Sequence, residues 1–264
     1  MVPAPFQRFT DHAISRLESD ARILGLAAGG SWITGELDNF SDLDFVIVCD
    51  SGRINSVSAD MSAIADSLGP CLASFPGDHV GVPNMLICLY DDPLLHVDLK
   101  FVPLDEFNVR IENPAVLWER DGALTRVLEE TKPQTPQLDL QWIEDRLWTW
   151  VHYGAQKLGR GEIFETLSML AFIRERVLGP MESARAGKIP RGVRRLEKFA
   201  DTSDLTELRA TVAAYDARSC EQSLKACAKM YVGLRETLDP GSLKRNRRAE
   251  MAALRYLHEI SESL

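Results

Sequence analysis

The run Leu43-Asp44-Phe45-Val46-Ile47-Val48-Cys49 is apolar on both faces once past Asp44. A strand that hides both faces belongs in the interior of a sheet, within a domain of layered strands and helices. Just upstream stand Gly29-Gly30-Ser31, a spacer, and Ser41-Asp42-Leu43-Asp44. Alternate strand residues share a face, so Asp42 and Asp44 can converge on one point. Carboxylates beside such an apolar run are costly to bury without a partner, and a hard divalent cation such as Mg²⁺ supplies one. Asp98 lies in a second strand-like run, Leu94 to Val102, flanked by Val97 and Leu99.

Gly30 permits close backbone approach, and Ser31 adds a hydroxyl at the opening of a short helix, a combination suited to phosphate. Taken singly, the glycines are a tight strand-to-helix turn and the aspartates an Asx-turn or solvated loop. Together they point to metal-assisted chemistry on a nucleoside triphosphate.

The first segment predicts a helix from about Thr10 to Ala21, with Thr10 or Asp11 as the cap. A strand follows over Ile23 to Ala28, then a short helix opened by Ser31 and broken near Gly35. Asn55 to Leu68 has the spacing of one helix. Met85 to Tyr90 and Leu94 to Val102 flank Asp91-Asp92-Pro93 and predict an antiparallel hairpin. Two prolines in Thr131 to Gln137 mark a linker. Beyond it every segment has helical period. Helices are expected over Leu138 to Leu158, over Ile163 to Leu178 with a stop at Gly179-Pro180, over Asp204 to about Leu238 with a break at Asp239-Pro240-Gly241, and over Ser242 to Ile260. The expected fold is α+β: a small mixed β-sheet domain over residues 1–132, then an all-helical bundle over residues 138–264.

Gly30-Ser31, a spacer, and Ser41-Asp42-Leu43-Asp44 followed by hydrophobics resemble the signature of the DNA polymerase β-type nucleotidyltransferase superfamily, with Asp98 fitting its third aspartate. The pairing of this domain with a helical one is most similar to small bacterial enzymes that nucleotidylate aminoglycosides or lincosamides. That resemblance implies a Mg²⁺-dependent enzyme, with two ions held by Asp42, Asp44 and Asp98. It implies transfer of a nucleoside monophosphate, AMP in most such families, from an NTP to a hydroxyl of a small molecule. An aminoglycoside-like antibiotic, and hence antibiotic resistance, is the acceptor reading it brings. Gly30, Ser31 and Ser41 would bind the nucleotide; Lys157 by itself reads either as a contact to the triphosphate or as an exposed lysine at a helix end. Glu144, Asp145, Glu162 and Glu165 are candidate general bases, and each alone also reads as a solvated helix charge. The same core in other relatives modifies a protein or RNA, or serves as an inactive nucleotide-binding regulator.

At 264 residues the chain can bury one large core or two modest ones. A net charge of −9 argues against a dedicated nucleic-acid binder and accords with a cationic acceptor. The cluster Lys188 to Lys198 reads as a solvated loop entering a short helix or as a contact for phosphates or RNA, and Lys244, Arg245, Arg247 and Arg248 as a solvated helix face. No apolar run reaches the roughly 18 residues of a membrane span, and the first residues lack a signal-peptide layout. Five cysteines without metal-ligand spacing favour a reducing, cytoplasmic setting. Trp142, Trp148 and Trp150 fall on one predicted helix and cannot all share a side. His96 and His152 stand alone, without ligand spacing.

Overall fold

The computed structural model describes residues 2–239 and 241–264. Contacts divide the chain into two compact units, Met1–Thr135 and Pro136–Leu264.

The first unit is built on β1 (Ile23–Ala28), β2 (Leu43–Cys49), β3 (Cys71–Gly77), β4 (Val82–Tyr90), β5 (Leu95–Pro103) and β6 (Ala115–Glu119). They form one sheet in the order β3-β4-β5-β2-β1-β6. Only β2 and β5 run parallel; every other neighbouring pair is antiparallel. The hairpin predicted around Asp91-Asp92-Pro93 is β4-β5, and β2 occupies the interior position its apolar faces require.

One face of the sheet, with Leu43, Phe45, Ile47, Leu86, Cys88, Tyr90, Val97, Leu99 and Phe101, is covered by three helices. These are α1 (Ala4–Glu18), α3 (Ile54–Ala59) and α4 (Met61–Ser67), while the single-turn α2 (Ser31–Thr34) follows β1. On the opposite face α5 (Ala123–Glu130) covers Ala27, Val48 and Val102 at one end only. Its N-terminus is tied down by Glu119, which accepts from the backbone N–H groups of Leu124 and Thr125 at 2.8 and 2.9 Å. The other end of that face carries the aspartates.

Several helix limits differ from those expected. The first helix starts at Ala4 because Pro3 and Pro5 sit in its opening turn, where a missing N–H costs nothing. Thr10 is therefore no cap; it is buried mid-helix, donating to the Phe6 carbonyl at 2.7 Å. The single helix expected over Asn55 to Leu68 is two, parting at Asp60, whose carboxylate is drawn to Arg22 at 2.6 Å. Buried Tyr90 on β4 donates to the Ala65 carbonyl of α4 at 2.7 Å. Tyr90→Phe is expected to cost about 1 kcal/mol in urea unfolding, the net worth of one such bond.

The second unit comprises α6 (Leu140–Gly159), α7 (Ile163–Ile173), α8 (Gly179–Arg185), α9 (Leu196–Phe199), α10 (Thr202–Arg209), α11 (Ala217–Leu238) and α12 (Arg247–Ser263). Asp139, Asp216 and Asn246 cap α6, α11 and α12 with their side chains. Ile143, Leu147, Val151, Ala155 and Leu158 form one stripe on α6, packed against Leu224, Cys227, Tyr231 and Leu234 of α11. Gly179-Pro180 does not end a helix. A π-turn at Arg174–Leu178 feeds directly into α8, and Pro180 falls in the first turn of that new segment. The long helix expected from Asp204 is α10 and α11, separated by an irregular stretch; at its far end, Pro240 of the expected break lies outside the described residues. Among the described residues no helix is long and apolar enough to cross a membrane. All five cysteines are free thiols, four of them buried.

Candidate functional site

Parallel pairing of β2 with β5 sets Asp44 opposite Asp98 in register. Neighbouring strands lie roughly 4.8 Å apart, so the two side chains stand side by side on one face. Both are partly exposed, with Leu43, Phe45, Val97 and Leu99 buried on the opposite face. Asp42 precedes β2 by one residue, at the mouth of the strand. Among the described residues no group of three or more His, Cys, Asp or Glu side chains stands together as a metal cage. The structure thus pairs Asp44 with Asp98 and leaves Asp42 at the edge of that pair.

The glycine turn belongs to the same place. Gly29 N–H donates to the Asp44 carbonyl at 2.8 Å, which fixes the end of β1 beside the start of β2. Gly30 has φ 56° and ψ −133°, a backbone conformation essentially reserved for glycine. A Cβ at Gly30 would collide with the Asp44 carboxylate oxygen Oδ2. The turn therefore approaches Asp44 as closely as only a residue without a side chain can. Ser31 opens α2, a helix of one turn, so any phosphate held here would rest on the glycine backbone and the hydroxyl rather than on a helix dipole.

Ser41 is committed locally. Its hydroxyl accepts from the Asp38 N–H at 3.0 Å and donates to Asp38 Oδ1 at 3.1 Å, closing a turn whose tip, Phe40, is 97% exposed. An aromatic ring in solvent thus stands two residues from Asp42.

Two side chains on β5 join the site although their spacing in the sequence marks neither. His96 Nε2 lies 3.0 Å from Asp98 Oδ1, and Lys100 follows Asp98 by two residues on the same face, paired in register with Val46. Both follow from strand alternation around Asp98: once β5 is a strand, residues 96, 98 and 100 share a side. The pair Asp44–Asp98 is therefore flanked by an imidazole and an ammonium.

The remaining candidates lie in the second unit. Lys157, at the end of α6, is bracketed by Glu162 at 2.7 Å and Glu165 at 2.8 Å, and these carboxylates raise its pKa above the ordinary lysine value. A triphosphate would have to compete with both. Glu165 also accepts from the Tyr153 hydroxyl at 2.7 Å. Asp145 accepts from Gln141 at 2.7 Å on an exposed face. Glu144 is unsuited to act as a base. It is 1% exposed and takes hydrogen bonds from Trp148, Tyr231, Arg235 and the Asn246 N–H. Burial alone would raise its pKa, but those four donors outweigh burial and hold it below the usual carboxylate range. The segment 188–198 is a loop leading into α9, held by Glu175 accepting from Val193 N–H at 3.2 Å. Trp148 is core, edge-on to Tyr231, while Trp142 and Trp150 pack together nearer the surface. His152 packs against Tyr256 with ring centroids 4.6 Å apart and the rings tilted, beside an open pocket of about 400 Å³ between α6 and α12.

No protein-family model matches the chain, and no curated protein matches it. Among solved structures it is similar to an aminoglycoside 6-adenyltransferase from Bacillus subtilis, at 16% identity, TM-score 0.45, covering 97% of this chain and 98% of that one. It is also similar to a nucleotidyltransferase-like protein from Exiguobacterium sibiricum 255-15, at 12% identity, TM-score 0.42, covering 98% of this chain and 80% of that one.

Proposed function

We propose that the protein is a Mg²⁺-dependent nucleotidyltransferase that moves AMP from ATP to a hydroxyl of a small molecule and releases pyrophosphate. The observation that carries this reading is the Gly30 turn pressed onto Asp44, with Asp98 beside it in register. A pure scaffold has no physical need for two adjacent carboxylates under a glycine-only turn.

The donor set suits Mg²⁺, a hard cation that takes one or two carboxylates and fills its remaining positions with water and substrate phosphate. Asp44 and Asp98, with Asp42 at the strand mouth, would hold it, and two carboxylates suffice when phosphate oxygens complete the shell. When bound, the metal supplies charge neutralisation at the phosphates. Gly29, Gly30 and Ser31 present backbone and hydroxyl to the triphosphate and position its leaving end. Lys100 adds a fixed positive charge on the same face. The acceptor oxygen forms its bond to the α-phosphorus while the bond to the bridging α–β oxygen breaks and pyrophosphate departs. Asp98 Oδ1 is held by His96, and the other oxygen, Oδ2, takes the hydroxyl proton.

Calorimetric titration with ATP, GTP, CTP and UTP, each with and without Mg²⁺, tests this reading. Tight binding is expected only with Mg²⁺ and best with ATP, and an Asp42→Asn/Asp44→Asn variant should weaken it by about a hundredfold, roughly 2.7 kcal/mol. Absence of binding for all four nucleotides would refute the reading.

A further inference from the structure

Given the nucleotidyltransferase reading, on which this inference rests, the sheet around Asp98 also selects the kind of acceptor. Across the sheet, the glycine turn ends β1 on one side of Asp44, and Asp98 lies on the other. In-line displacement places the entering oxygen opposite the leaving pyrophosphate. With the triphosphate at Gly30, the acceptor approaches from beyond Asp98, over β4 and β3.

Register fixes what it meets there. Asp98 pairs with Ile87 of β4, and Ile87 pairs with Phe75 of β3. His96 pairs with Leu89, and Lys100 with Met85. Paired residues share a face, so Phe75, Met85, Ile87 and Leu89 extend the carboxylate row as an apolar shelf. One strand spacing separates Ile87 from Asp98, and two, about 10 Å, separate Phe75 from it. Phe75 is 48% and Leu89 37% exposed, and Met85 and Ile87 are partly exposed. Phe75 is steadied by His79, ring to ring at 5.7 Å. No residue of this shelf carries a charge.

We propose that the acceptor carries, next to its reactive hydroxyl, a flat apolar face that lies on Ile87, Leu89 and Phe75. A sugar bearing only hydroxyls and ammonium groups would leave these side chains unmatched and find no carboxylate among them. An aromatic or fused-ring alcohol about 10 Å long from hydroxyl to ring covers the shelf while its hydroxyl reaches Asp98.

Methyl-labelled protein, saturated with Mg²⁺ and the non-hydrolysable α,β-methylene analogue of ATP, is titrated with phenyl β-D-glucoside and, separately, with glucosamine. The Ile87 and Leu89 methyl resonances are expected to shift and saturate with the glucoside and to stay in place with glucosamine. Phe75→Asp should weaken the glucoside response about tenfold without changing the affinity for the ATP analogue. Leu89→Ser, at a second exposed position, should do the same, so that a folding defect in one variant does not decide the outcome. Analogue binding without a glucoside response, or an equal response to glucosamine, overturns the acceptor inference alone. Failure of the unaltered protein to bind the analogue overturns the nucleotide reading and this inference with it.

Discussion

Gly30→Ala is expected to abolish Mg²⁺-dependent nucleotide binding and to destabilise the first unit by about 2–4 kcal/mol. Two separate costs combine at this position. The backbone there has φ 56° and ψ −133°, and holding an alanine in such a region costs on the order of 1–3 kcal/mol. The added methyl also meets Asp44 Oδ2, so either the turn lifts or the carboxylate swings away from Asp98. Each response removes the juxtaposition that defines the site. Calorimetry with ATP and Mg²⁺ reads the first effect, and urea unfolding reads the second. Gly35→Ala makes a useful comparison: Gly35 also has positive φ, but a Cβ there meets nothing within 4 Å. It should lose part of the stability and keep nucleotide binding. Equal loss of binding in both variants would show that turn strain, and not the approach to Asp44, is what matters.

Glu144→Ala is expected to destabilise the second unit by about 3–5 kcal/mol, the usual cost of stripping one partner from a buried ion pair. Arg235 is 3% exposed and shares its guanidinium between Glu144 and Glu250, each at 3.0 Å. Removing Glu144 leaves Tyr231, Trp148 and the Asn246 N–H without their acceptor. The pH dependence has a definite sign. The folded-state pKa of Glu144 is lower than its ordinary value of 4.5, so its contribution is complete above that value. It disappears as pH falls through the lower folded value. Thermal unfolding of the second unit should therefore drop in acid below about pH 4.5, and less so in Glu144→Ala. Nucleotide affinity at neutral pH should be unchanged in the folded variant, which separates this carboxylate from the chemistry.

The strands that bury two faces, β1 and β2, and the β4-β5 hairpin could be read from the chain, because continuous apolar runs bounded by turn residues have few other uses. The glycine turn and the aspartates were legible for the same reason: they interrupt such runs at places where polar groups need a purpose. By contrast β3 and β6 leave little trace. Of the β3 residues only Gly77 is buried, and the strand contains Pro76, so neither alternation nor apolar content sets it apart from a loop. In β6 all five residues are half-buried, which blurs the period. His96 was invisible as a site residue because its tie to Asp98 depends on strand alternation in place, not on a ligand motif. The bridging of Lys157 by Glu162 and Glu165 depends on the turn between α6 and α7, which spacing alone does not specify.

One consequence of the parallel β2-β5 pairing concerns the folding of the site. Asp44 and Asp98 meet only through the single parallel ladder in an otherwise antiparallel sheet. Between them the chain must first lay down α3 and α4 and turn the β3-β4 hairpin. Closing so long a loop is entropically costly and tends to be completed late in folding. The carboxylate pair is accordingly a property of the finished sheet and of no fragment of it. A nucleotide bound to the pair would clamp the two central strands together, so its stabilisation should reach β2 and β5 and the strands beside them, β1 and β4. In hydrogen exchange, protection would then rise in concert at the amides of β1, β2, β4 and β5, and not only at those nearest the ligand.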